Sequence, residues 1–237
     1  METRQPSRSK NFFEEKSLGF DRLIMLCDGI FAIAMTLLVL DIKLPEGANL
    51  TGEEWDKLLT KSIFYLITFI TVAGYWVSHR QLMTYIKRQD GPFTSLTFLF
   101  LAFVVFFPAS FNVLVVSKDS DQVVVFYTLV LACCGFSSFF LWAYASWKRR
   151  LIDPELSRHI VSSRSLSLLI SPVYFCLSLA LLAIPNIDPN AVFYSWVLLP
   201  VIARIVHAIG DRVEKSPDHH SIGTLSKQKT DIPVAGK

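Results

Sequence analysis

Charge is scarce in this sequence, and its scarcity is organised. Only 18% of the 237 residues are Asp, Glu, Lys or Arg, and 52% are hydrophobic; a soluble domain carries roughly 25% charged residues. No charged residue occurs between Asp90 and Lys118, between Asp121 and Lys148, or between Arg164 and Asp188. Each run exceeds the roughly 20 residues that a helix needs to cross about 30 Å of hydrocarbon. The pattern excludes an ordinary soluble fold and predicts three membrane-spanning helices, over about 93–116, 122–147 and 163–184.

The apolar runs lack the two-residue alternation of a membrane strand, and lipid demands that a spanning backbone satisfy its own polar groups. Helices are therefore expected throughout. Two shorter runs, 62–78 and 190–203, have flanks that can snorkel or anchor: Lys61 and Arg80 on one, Trp196 and Arg204 on the other. They predict helices over about 60–80 and 190–209. A sixth helix runs from about Arg22 to Lys43 and stops at Pro45 and Gly47. Pro108 is expected to kink the third helix. Trp142, Tyr144 and Trp147 look like an interfacial aromatic belt. The prediction is an all-α integral membrane protein of six helices.

No internal repeat is visible, so one six-helix domain (18–209) is expected between a polar segment, 1–17, disordered or frayed, and a polar tail, 210–237. No apolar segment that could serve as a cleavable signal precedes Arg22, so the first helix is expected to stay in place.

Cysteine is sparse as well. Cys27, Cys133, Cys134 and Cys176 lie in apolar surroundings without metal-ligand spacing, and they read as small core residues. No cofactor or metal is expected. Nor is an enzyme: His79 and His207 are the histidines in or beside helices, His159 is placed in a loop, and no metal partner stands near His79.

Basic residues are unevenly distributed. An even number of helices puts both termini on one face, and only Lys43, Lys57, Lys61 and Lys118 then fall on the opposite one, leaving 19 of the 23 Lys and Arg on the first. The positive-inside rule makes that richer face, with both termini, cytoplasmic. The basic residues thus report topology, and no nucleic-acid partner is needed to explain them.

The first helix is the unusual one. Its uncharged window is only Gly29 to Leu40, between Asp28 and Asp41, or roughly 18 Å at about 1.5 Å per residue. Exposed to lipid, it would draw carboxylates into hydrocarbon at about 2.5–3.5 kcal/mol for a charge near the centre. Protein or water around it costs less. At about 100° per residue, Ile33, Leu37 and Leu40 form one stripe, flanked by Gly29 and Thr36 on one side and Ile30 on the other. Asp28 falls behind that stripe. It needs a partner from a neighbouring helix, and His79 and Trp76 lie at matching depth; a cluster of Arg22, Asp28, His79 and Trp76 is expected. Ordinary helix packing remains an alternative account of the stripe.

The segment Arg22-Leu-Ile-Met-Leu-Cys-Asp28 resembles the first-helix motif of the transmembrane protein 175 family of potassium channels, in its bacterial six-helix form. That motif reads Arg, three residues, then Phe-Ser-Asp; here Leu26 and Cys27 replace the Phe and Ser. Trp76-Val-Ser-His79 and Pro108 extend the resemblance over helices one to three. It implies a homotetramer in a bacterial inner (plasma) membrane, with four copies of helix one around a central pore and no TVGYG-type filter loop. It further implies a potassium-permeable, weakly selective cation channel. The apolar constriction transfers to Ile33, Leu37 and Leu40, with a hydroxyl ring at Thr36. The family's polar network transfers to Arg22, Asp28, His79 and Trp76. The alternatives are a secondary transporter, disfavoured by the absence of inverted repeats and broken helices, and a proton-conducting membrane protein.

Overall fold

The computed structural model describes residues 8–42, 52–116, 120–185, 188 and 191–198. These form α1 (Arg8–Leu37), α2 (Gly52–Tyr85), α3 (Gly91–Val116), α4 (Asp121–Ser146), α5 (Arg158–Ser178) and α6 (Ala191–Ser195). Short 3-10 segments extend α1, α4, α5 and α6, and no strand is present among the described residues. Among the described residues, five helices are long and apolar enough to cross a membrane. The expected sixth helix is seen only at its start, since 199–209 lie outside the described residues, as does the tail from 210.

The helices overrun their apolar cores. α1 begins at Arg8, so most of the segment expected to be frayed is helical, and α2 spans 34 residues where about 60–80 was expected. Hydropathy marks where a helix crosses lipid, whereas hydrogen bonding carries it into water. Trp55 belongs to the first turn of α2, and His159, expected in a loop, to the first turn of α5. Ser157 caps that turn by accepting a hydrogen bond from the Ile160 amide at 3.2 Å.

α3, α4 and α5 pack in sequence, and α1 lies against α2 and α3. Phe31, Phe100, Phe107, Phe111 and Leu131 fill the larger core. Apolar burial between helices gains little in hydrocarbon, so close packing and interhelical hydrogen bonds carry the association. The hydroxyls of Thr68 and Tyr127 meet at 2.6 Å, and Tyr75 donates to the Leu131 carbonyl at 2.8 Å. Gly135 lets α4 approach α5: a Cβ built there would stand 2.9 Å from Cβ of Pro172.

A smaller core closes the basic end, with Phe93, Leu141 and Trp142 fully buried. Trp142 does not join an interfacial belt. Its indole donates to Ser165 Oγ at 3.1 Å, because an internal partner exists on α5. Asp90 organises the same end: its carboxylate caps α3 through the Phe93 amide at 3.0 Å, accepts from the Tyr144 hydroxyl at 2.8 Å and pairs with Arg150 at 3.3 Å. An antiparallel bridge between Ile86 and Ile152 ties the two loops beside it.

Candidate functional site

α1 divides cleanly into two sides. Leu23, Cys27, Phe31, Ala34 and Leu38 recur at three- and four-residue intervals and are buried against α2 and α3. The stripe of Ile33, Leu37 and Leu40 lies on another side and is 59%, 41% and 66% exposed. Thr36 and Gly29 are exposed beside it. The Thr36 hydroxyl donates to the Ile33 carbonyl at 2.9 Å, which commits its proton and leaves its lone pairs facing outward. A Cβ on Gly29 would touch nothing within 4 Å. Arg22, eleven residues before Ile33, falls on the same line of the helix and is exposed.

The four residues expected to cluster do not all meet. Trp76 and Asp28 do: the indole Nε1 donates to Asp28 Oδ1 at 2.8 Å, joining α2 to α1. Arg22 makes no hydrogen bond or ion pair with any described residue. His79 is buried, and neither ring nitrogen has a hydrogen-bond partner among the described residues. It stacks on Phe100 with centroids 4.9 Å apart, while Phe31 lies 6.2 Å away. Three residues beyond Trp76, it is turned about 60° around the helix, onto the stripe with Val72, Tyr75 and Leu82 that packs inward. Arg80 takes the place the sequence reading gave to Arg22 and His79. Its guanidinium lies 5.5 Å from the centroid of the Trp76 ring, a cation over the indole that holds the carboxylate. The i, i+4 spacing of Trp76 and Arg80 was the available signal, but Arg80 had been read only as an interfacial anchor.

No group of three or more His, Cys, Asp or Glu side chains able to hold a metal ion occurs among the described residues. What the arrangement offers is a helix with an unburied apolar stripe, an outward-facing hydroxyl beside it and a hydrogen-bonded carboxylate one turn before Ile33.

Such a helix within an all-helical bundle of apolar spans has the architecture of a multispan membrane protein. The chain resembles the TMEM175 family over its first three helices. Residues 22–108 match the family model described as endosomal/lysosomal potassium channel TMEM175. A potassium channel of Streptomyces collinus is 28% identical over 145 residues, covering 57% of this chain and 68% of that one. The endosomal/lysosomal proton channel TMEM175 of Bos taurus is 30% identical over 105 residues, covering 40% of this chain and 22% of that one. The fold matches the crystal structure of a lysosomal potassium-selective channel TMEM175 homolog from Chamaesiphon minutus with a TM-score of 0.62 at 22% identity. That match covers 81% of this chain and 98% of the other.

Proposed function

We propose that four copies of this chain assemble around an axis lined by α1 and form a potassium-permeable, weakly selective cation channel in a bacterial plasma membrane, both termini cytoplasmic. The observation that carries this reading is the exposure of Ile33, Leu37 and Leu40 on a side of α1 turned away from the subunit's own packing. The line of that stripe continues to Arg22, which pairs with none of the described residues and favours water over acyl chains. Ile33 then forms an apolar ring. When the ring is narrow, water leaves it, and an ion would have to cross unsolvated; widening restores hydration and conduction. Potassium sheds part of its water more cheaply than sodium, so partial dehydration at the ring gives modest selectivity. The hydroxyl oxygens of Thr36 offer dipoles one turn further along the pore.

Recording from purified protein in planar bilayers tests the reading. Ile33→Asn is expected to enlarge or prolong the currents relative to wild type, and Ile33→Ala to enlarge them less. Currents unchanged by both substitutions would refute an apolar gate at this position. Proton conduction is the second reading, favoured by the similarity to the bovine proton channel. A reversal potential that follows the pH gradient and ignores the potassium gradient would select it.

A further inference from the structure

α2 and α5 run side by side with little backbone contact, and an apolar cleft of about 470 Å³ separates them. Ile67, Ile70, Gly74, Leu168, Phe175 and Trp196 supply its wall. Two polar residues in it are spent on their own helices, Thr71 donating to the Ile67 carbonyl and Ser167 to that of Ser163, each at 2.8 Å. The cleft therefore presents mainly hydrocarbon. Toward the basic end it narrows beside Ser78, Leu82 and Trp142, then reopens into a cavity of about 400 Å³. Ser78 and Ser167 line both the cleft and the neck, and Tyr85 and Arg164 both the neck and the cavity, so the spaces form one path.

The wide polar end is built around Arg164. Its guanidinium donates to Gln81 Oε1 at 2.8 Å and to the Tyr85 hydroxyl at 3.4 Å, and lies 5.4 Å from the Tyr85 ring centroid. These partners are neutral. No carboxylate pairs with Arg164 among the described residues, and none of the described residues lining the cavity is acidic; His159, Ser163 and Ser167 are the other polar groups there. Two of the five guanidinium donors are used. A cation held in place without a counter-ion, at the head of an apolar cleft, has the complement of an anionic amphiphile.

We propose that this path is a binding site for one acidic phospholipid of the leaflet at the basic end. The phosphate sits at Arg164, and an acyl chain lies along Gly74, Ile70 and Trp196 between α2 and α5. An excess of basic residues marks the cytoplasmic side, where a cationic pocket between helices meets anionic headgroups. The occupant bridges two helices that otherwise touch little, joining the helix that carries Trp76 to the α4–α5 unit.

Native mass spectrometry of the purified full chain, titrated with dioleoyl-phosphatidylglycerol or dioleoyl-phosphatidylcholine, tests the site without requiring current. The wild type is expected to retain the first phosphatidylglycerol about fivefold better than phosphatidylcholine, the size expected of one cation near an anionic headgroup. Arg164→Gln removes that preference and Arg164→Lys keeps most of it. Gly74→Leu lowers retention of both lipids, since a side chain added where a Cβ meets nothing within 4 Å enters the cleft without disturbing the fold. Equal retention of the two lipids by the wild type, or an unchanged preference in Arg164→Gln, overturns the proposal. So does displacement of the lipid by glycerol phosphate alone, which would mark a simple anion pocket. Ready disulfide formation between two copies of a Gly74→Cys variant would overturn it as well, because another protein chain would then fill the cleft.

Discussion

Trp76 Nε1 and Asp28 Oδ1 stand 2.8 Å apart, and this hydrogen bond joins the helix carrying the exposed stripe to its neighbour in sequence. It crosses from α2 to α1 one turn before Ile33, so a change in its length moves the stripe relative to the rest of the subunit. Trp76→Phe keeps the aromatic bulk and removes the donor. A hydrogen bond to a charged group contributes about 1.5–3 kcal/mol when sheltered; Asp28 is exposed, so a loss near about 1 kcal/mol is expected. Thermal unfolding followed by size-exclusion chromatography, together with a changed open probability, checks it. A variant indistinguishable from wild type in both would show the bond to be incidental.

His79 makes the opposite forecast. Both of its ring nitrogens are unpartnered between Phe31 and Phe100, so substitution breaks no hydrogen bond. His79→Leu is expected to cost less than about 1.5 kcal/mol, in the range of size-matched core exchanges, or to stabilise the fold by removing orphaned polar atoms. A drop in melting temperature as large as that of a cavity mutation, such as Phe100→Ala, would mean that the imidazole bonds something in the assembled protein.

Gly135 and Pro172 should be energetically coupled. Gly135→Ala drives a methyl to about 3 Å from three atoms of the proline ring, and overpacking of this kind costs typically 1–3 kcal/mol. Pro172→Ala removes the obstacle. The double variant is then expected to be less destabilised than the sum of the single ones, and strict additivity in a double-mutant cycle would show that α4 and α5 do not meet at this point.

Asp90 caps α3 through one oxygen and holds Tyr144 and Arg150 through the other, and these roles are separable. Asparagine caps a helix about as well as aspartate does, so Asp90→Asn retains the bond to the Phe93 amide and loses the ion pair with Arg150, which is more than half exposed. Little stability should be lost, under about 1 kcal/mol. Asp90→Ala abolishes the cap as well and is expected to cost about 0.5–2 kcal/mol more. Equal effects on the unfolding midpoint would assign the whole contribution to the charge.

Cysteine accessibility separates the sides of α1. In a background lacking Cys27, Cys133, Cys134 and Cys176, cysteines at positions 33, 37 and 40 should react with water-soluble thiol reagents in conducting protein and alter the current, whereas one at position 31 or 38 should not. Inert cysteines along the stripe would assign it to lipid or to another helix.

Much of this architecture was legible because the bilayer imposes its own arithmetic: the charge-free runs gave α3 and α4 nearly at their observed limits, whereas α5 starts five residues before the expected 163, at Arg158. The ends of α1 and α2 were harder, since a helix continuing into water leaves no hydropathy signal. Asp90 followed by Pro92 is an N-cap signature that was available, but its bonds to Tyr144 and Arg150 depend on how two distant loops meet. The wheel anticipated the side of α1 on which Ile33, Leu37 and Leu40 lie. It could not foresee that Trp76 would hydrogen-bond Asp28 while His79 turned inward without such a bond, because depth on a helix is readable from sequence and azimuth against a neighbour is not. Arg164 is one of the basic residues that report topology; that no described carboxylate pairs with it is a tertiary fact.

The 34 residues of α2 amount to about 51 Å of rod in a slab whose oily layer is about 30 Å deep. A beam that projects from both faces of the sheet it pierces has hydrated collars at each end, and these resist sinking or rising. Leaning is the movement left to it, and a lean swings Trp76, with the carboxylate it holds, sideways within the plane of the membrane.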